Sequence, residues 1–435
     1  MRLLSQSTRA ATAVLAGAML LAACGSDSTT TEPSGSDTTA AEETPSETEP
    51  SEPPAGSGNG TLTIGTLLPQ TGDLAFLGPP EFAGVDLAVQ DINDAGGVLG
   101  ADVEQVKGDS GDGTPNIAPR ETTTLLARDA DVIIGAASSS VSLSVIDKIT
   151  GAGVVQISPA NTSTAFDTYD DKGLYFRTAP SDVLQGAVMA NLVTEDKFSN
   201  IAIMARQDSY GEALADQVEQ RFTDAGGNVV AKELYDANAS NFGAEVQKIA
   251  AQDPDAIVLI AFAETTNIIP ELIANNIGPQ DLQVYFVDGN TADYSGEFDE
   301  GTLEGVRATY PGAELTGDFR QRLLEADPKL KEFTYGPESY DATIVAALAA
   351  TAAGDDSGES IASKLQEVSV GGTECTEYQE CVTMIEAGED IDYNGVSGPI
   401  DFNDTGSPSA ATIGIFEYEA DNAFPPSVEF VTGKI

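Results

Sequence analysis

The chemistry open to this chain is bounded by its side chains. Its 435 residues include 70 acidic and 20 basic ones, a formal charge of −50, with three cysteines, no histidine and no tryptophan. Without imidazole there is no Ser-His-Asp triad and no His-ligated metal. Hydroxyls, carboxylates and a few aromatics remain. They gather in five segments, each directly after an apolar run: AASSS at 136–140, SPANT at 158–162, RQDSYG at 206–211, AFAETT at 261–266 and VDGNT at 287–291. These segments hold no metal cage and no nucleophile–base pair. Such a set can ion-pair and hydrogen-bond a small polar molecule. It is poorly equipped to break a bond. A carboxylate-dependent hydrolase needs two acids at a defined separation, and only Asp208 and Glu264 come near that requirement.

Ser139 lies where an apolar run gives way to helical spacing. Unpaired N–H groups and the helix dipole favour an anion there. A plain helix cap suits the position equally, and Ser138 could supply it. The run DSGDG at 109–113 invites a calcium-loop reading, which fails because the twelfth position from Asp109 is Arg120, where a bidentate Glu is required. No metal and no cofactor is expected.

The charge excludes further classes. A polyanion does not hold a nucleic-acid backbone, whose affinity comes from Lys and Arg, and it is not drawn to an anionic membrane surface. The −50 charge does not select a ligand; it reads as a solvated surface suited to saline or acidic surroundings.

The N-terminus is punctuated differently. Arg2 and Arg9 precede an uncharged run of 14 residues from Ala10 to Ala23, too short for a spanning helix, which needs about 20. It suits a secretory signal peptide over 1–23. Leu21-Ala22-Ala23-Cys24 resembles the bacterial lipobox, which implies cleavage before Cys24 and a lipid on its sulfur. Residues 24–60 follow as an acidic tether rich in Ser, Thr and Pro, unable to bury enough surface to offset its ordering entropy. Export makes a local disulfide between Cys375 and Cys381 the expected pairing. Two thiols with no His nearby make a poor metal site.

The elements that must position the five segments form an α/β alternation. Leu62–Leu68 reads as a strand, and Phe82, Val85, Val89 and Ile92 recur at helical spacing after it. Strands follow at 131–134 and 154–157, with a helix marked by Val141, Val145 and Ile149 between them. The pattern restarts with a strand at 200–204, a helix marked by Leu214, Val218 and Phe222, and strands at 256–260 and 284–287. Strand–helix–strand order at this spacing calls for doubly wound parallel sheets, and the length calls for two lobes. Ligands of such sheets bind beyond the carboxyl ends of the strands, where the five segments lie.

Taken together, IGTLLPQTGDLAFLG, INDAGGVLG, IIGAASSS, QISPANTST, DSYGEAL, ESYDA and GVSGPIDFNDTG resemble, in order and spacing, the leucine/isoleucine/valine type of substrate-binding protein that serves ABC transporters. The resemblance runs from residue 61 onward. It implies a periplasmic binding protein-like clamshell: one lobe of 61–180 plus 311–399, a second of 181–310 plus 400–435, and crossovers near 177–182, 308–313 and 397–402. Carried over residue by residue, it implies that Ser139 holds a ligand carboxylate and that Ala160 and Thr162 contact the amino and carboxylate groups. Tyr210 would close over the ligand and Asp288 would pair with its ammonium. Phe262 stands where the family often has Tyr, so a phenolic hydrogen bond is lost there. Leu77 and Tyr335 align with positions touching the variable part of the ligand.

The expected function is therefore capture of an amino acid, branched-chain or related, by an exported lipoprotein anchored through Cys24 to the outer face of the cell membrane. The partners implied are a small-molecule ligand and an ABC permease, with no nucleic acid, and a monomer is the family default. Two other outputs stay open: a sensor of the same fold signalling to a receptor, and binding of amides or urea. An enzyme is not expected.

Overall fold

The computed structural model describes residues 58–113 and 116–434. Cys24, the signal peptide and nearly all of the tether lie outside the described residues. The first sheet is built from β1 (Thr63–Leu68), β2 (Glu104–Asp109), β3 (Val132–Gly135), β4 (Val155–Ser158) and β5 (Tyr175–Arg177), all parallel in the order β2-β1-β3-β4-β5. β1, β3 and β4 are buried along their whole length, because helices cover both faces of a parallel sheet. Those helices include α1 (Gly78–Asp94), α2 (Ala118–Leu126) and α3 (Ser139–Gly151).

The second sheet takes β6 (Asn200–Arg206), β7 (Asn228–Tyr235), β8 (Ala256–Ile260), β9 (Gln283–Phe286) and β10 (Arg307–Pro311), parallel in the order β7-β6-β8-β9-β10. Around it run α4 (Asp182–Glu195), α5 (Ser209–Asp224), α6 (Gly243–Ala250) and α7 (Thr265–Ala274). After β10 the chain returns to the first lobe through α8 (Gly317–Ala326), α9 (Gly336–Ala353), α10 (Gly358–Leu365) and α11 (Tyr378–Glu386). A small sheet of β11 (Thr373–Cys375), β12 (Ile391–Gly395) and β13 (Gly398–Pro399) completes that lobe. α9 is buried from Gly336 to Ala350 and packs directly on α1. The approach is so close that a Cβ at Gly84 would lie 2.2 Å from the Gly336 carbonyl oxygen. Cys375 and Cys381 form a disulfide with a Cα–Cα distance of 5.5 Å, tying β11 to α11.

Two features depart from the sequence reading. The second sheet is extended by an antiparallel pair, β14 (Ala410–Glu417) on β10 and β15 (Ser427–Lys434) on β14. The third passage between lobes also comes later than 397–402. Ile400 and Phe402 are buried in the first lobe's core, and the turn at 403–407 is held there by Arg177. The Arg177 N–H donates to the Gly406 carbonyl at 2.9 Å and its Nε to Ser407 Oγ at 2.8 Å. The chain reaches the second sheet only at Ala410, so residues 400–407 belong to the first lobe.

Candidate functional site

The loops after β3 and β4 are built as one piece. The Asn161 amide donates to the carbonyls of Ala136 and Ala137 at 3.0 and 2.8 Å, and Ser158 Oγ donates to Ala136 at 2.7 Å. Tyr175 OH fixes the amide from behind by donating to Asn161 Oδ1 at 3.0 Å. Ser138 is the extended N-cap of α3 and Ser139 its first helical residue. The first-turn N–H groups of a helix have no partner within it, so this loop presents donors to the cleft. Ser163 reaches across: its Oγ donates to the Ser209 carbonyl of the second lobe at 2.7 Å.

From the second lobe, Asp208 caps α5 by accepting from the N–H groups of Tyr210 and Gly211 at 3.1 and 2.9 Å. This cap turns Tyr210 into the cleft. Its ring stacks on Phe262 with centroids 5.4 Å apart, and the Arg206 guanidinium lies 3.4 Å from the Phe262 centroid on that ring. Arg206 also pairs with Asp208 at 2.6 Å and Glu264 at 3.0 Å. The two acids a hydrolase would need are thus both committed to one arginine. Burial raises the Glu264 carboxyl while Arg206 opposes the shift.

Asp288 is the centre of the site. It opens the 3-10 turn Asp288–Asn290, which Asn290 locks by accepting from the Val287 N–H at 2.9 Å. Only 4% exposed, its Oδ1 accepts from Tyr210 OH at 2.7 Å and Gln185 Nε2 at 2.9 Å, and its Oδ2 from Tyr335 OH at 2.7 Å. Tyr335 comes from the other lobe. It caps α9 in a left-handed conformation, φ 57°, which a bulky residue adopts only when its surroundings impose it. Here its N–H donates to Tyr310 OH at 3.0 Å. Burial, and then the charge of Asp288, push the hydroxyls of Tyr210 and Tyr335 well up, so both remain donors. No Lys or Arg among the described residues forms an ion pair with Asp288.

Seven residues expected from the sequence line one small cavity: Leu77, Ser139, Ala160, Tyr210, Phe262, Asp288 and Tyr335, joined by Leu74, Ala137, Ser138 and Gly289. Thr162 is not on its wall; it is fully buried behind, with its carbonyl accepting from the Asp182 N–H at 2.8 Å. The cavity is about 20 Å³, room for about one water. Leu74, Leu77, Ala137, Ala160 and Tyr335 share one apolar cluster with the second lobe's core, so the lobes are closed on each other. A ligand of amino-acid size enters only if they part. A wider cavity of about 530 Å³ lies at the cleft mouth, lined by Asp73 and Asp112 from one lobe and Asp208 and Asp236 from the other.

The sequence reading missed Leu74, Ser163, Asp182 and Gln185. Gln185 and Asp182 carried one usable signal, since both are polar residues on an otherwise apolar helical segment, three positions apart. Among the described residues no group of three or more His, Cys, Asp or Glu is arranged to hold a metal, and no helix is long and apolar enough to cross a membrane.

The sequence profile described as periplasmic binding protein matches residues 61–421. A chemotactic signal transduction system substrate-binding protein, BasB of Halobacterium salinarum, is 30% identical over 355 residues, 78% of this chain and 83% of that protein. A leucine-, isoleucine-, valine-, threonine- and alanine-binding protein of Pseudomonas aeruginosa is 28% identical over 282 residues, 62% of this chain and 69% of that one. In fold, the chain resembles the branched-chain amino acid transporter substrate-binding protein LivJ of Streptococcus pneumoniae, solved with isoleucine. The TM-score is 0.69 and the identity 22%, covering 86% of this chain and all of the other.

Proposed function

Since this chain belongs to the periplasmic binding protein family and is a solute-binding protein of the leucine/isoleucine/valine type, not an enzyme, we propose that it captures an α-amino acid between its lobes and delivers it to an ABC permease. The observation that carries this reading is Asp288: a buried carboxylate, held by three neutral donors, with no cationic side chain among the described residues paired to it. Burying a charge is costly unless it is paired, and an ammonium group is the missing partner. The other charge of a zwitterion meets Ser139 and the α3 N-terminus, with Ala160 and Thr162 beside them. Leu74, Leu77, Phe262 and the Tyr335 ring leave an apolar space for the side chain. Ligand binding then acts by shifting the lobes toward closure.

In this reading residues 1–23 are a lipoprotein signal peptide and Cys24 carries the lipid that holds the exported protein at the outer face of the membrane, with the acidic segment to residue 60 as its tether. Thermal-shift measurement with the twenty amino acids, benzoate, simple amides and urea tests the ligand class. Ligand at a hundred times its Kd adds about 2.7 kcal/mol. A shift with one group of amino acids supports the reading; a shift with benzoate, amides or urea alone refutes it.

A second output has a specific observation in its favour, the chemotactic name of the Halobacterium relative. The same captured ligand would then be reported to a receptor. Cells lacking the gene separate the two: loss of uptake of the labelled ligand means transport, and loss of movement toward it with intact uptake means sensing.

A further inference from the structure

Behind Asp288 lies a second acid that neither the alternation of strands and helices nor the cavity wall accounts for. Asp182 is the first residue of α4, directly after the first passage between lobes, and is 0% exposed. By strict geometry neither of its carboxylate oxygens is hydrogen-bonded, nor is the equally buried hydroxyl of Thr162, although the hydroxyl lies close enough to favour the ionised carboxylate. Leaving such groups unsatisfied is costly. Their placement is not arbitrary. Asp182 stands three positions before Gln185, so both project from one face of α4, and Gln185 Nε2 is 2.9 Å from Asp288 Oδ1. The Asp182 N–H is 2.8 Å from the Thr162 carbonyl, in the loop that also carries Ala160.

We propose that Asp182 is a second acid of the ligand site: together with Asp288 and the Thr162 hydroxyl, it accepts the N–H donors of the ligand's ammonium group. This rests on the amino-acid reading above and narrows it. An ammonium with three N–H bonds has three acceptors here, on separate elements: the loop after β9, the start of α4 and the loop after β4. The site therefore selects a primary ammonium, and each N-methyl group added to the ligand removes one donor.

The electrostatic surroundings give the proposal a second signature. The groups that bear on Asp182 are Asp288 from the loop after β9, Arg177 from β5, Asp167 from the short turn at Thr164–Thr168, and Tyr210 from α5. Burial first, then the charge of Asp288, raises the Asp182 carboxyl well above the usual range, while Thr162 and Arg177 pull it down. A cation placed between the two acids reverses that repulsion, so binding draws a proton off Asp182.

The test is isothermal titration with the twenty protein amino acids, one at a time, in buffers of different ionisation enthalpy between pH 5 and 8. The expected result is release of protons on binding. Asp182→Asn should weaken affinity roughly tenfold to a hundredfold, the worth of one hydrogen bond to a charged group, and abolish the release. A residue that merely supported the fold would not change the proton count. Asp182→Ser, smaller and uncharged, provides a second variant, and absence of proton release by the wild type overturns the proposal even if neither variant folds. Binding that is as tight in both variants as in the wild type also overturns it and leaves the amino-acid reading intact. Failure of the wild type to bind any amino acid overturns both.

Discussion

Asp288→Asn separates ligand recognition from folding. The substitution keeps the size of the side chain and removes its charge. In the ligand-free protein the change is small: Asn Oδ1 still accepts from Tyr210 and Gln185, the amide nitrogen can donate to the Tyr335 oxygen, and the loss of charge-assisted bonds is offset by removing a buried charge. The thermal midpoint of the free protein should stay within a few degrees of the wild type. With ligand the balance is different. Removing one partner of a buried charge pair costs about 3–5 kcal/mol, which raises Kd roughly a hundredfold to several thousandfold. Isothermal titration with the amino acid giving the largest thermal shift reads this directly. A Kd within threefold of the wild type, on a protein of unchanged stability, refutes the assignment of Asp288 as the ammonium partner.

Three further outcomes concern the body of the protein. Burial pushes Glu338 up to about 8, with the charge of Asp341 adding to the shift, and it pushes Glu332 up to about 8 as well. A carboxyl raised in the fold stabilises it fully below its unfolded value of about 4.5 and loses that contribution as pH rises through about 8. The thermal midpoint should therefore fall between pH 5 and pH 9, and Glu338→Gln should flatten that slope; an unchanged slope counts against the burial. Reducing the Cys375–Cys381 disulfide opens a small loop worth about 2 kcal/mol in unfolded-state entropy, so the midpoint should drop slightly with ligand affinity unchanged, and lost affinity would tie that loop to the site. With a formal charge of −50, raising salt from low to physiological and beyond should raise the midpoint by screening self-repulsion; a flat response would mean that the acids are spaced too widely to interact.

The parts of the fold legible in the sequence are those where one residue pattern has one structural cause. LTIGTLL, the run at 131–134 and AIVLI are apolar because their strands are covered on both faces, and the segments after them carry the polar groups that the site uses. In the sequence Phe262 stands out as the loss of a phenol; in the structure it is a flat surface held by Arg206 and offered to Tyr210. What stayed hidden depends on tertiary partners. The turn at 403–407 looks like the end of a lobe, and it is tertiary partners, Arg177 more than two hundred positions earlier and the core around Ile400 and Phe402, that keep it in the first one. The antiparallel strands β14 and β15 alternate too weakly to stand out beside the parallel runs. Asp182 and Gln185 stand out in the sequence only as polar residues on an apolar helical run, and nothing there shows that Gln185 bonds to a loop about a hundred residues on.

The most direct measurement is a crystal structure of the protein with its highest-affinity amino acid. Closed lobes are expected, with the ligand nitrogen within hydrogen-bond distance of Asp288 and its carboxylate at Ser139 and the α3 N-terminus. A ligand lying the other way round, or one bound in the wider cavity among Asp73, Asp112, Asp208 and Asp236 with Asp288 still occupied by its tyrosines alone, would contradict it.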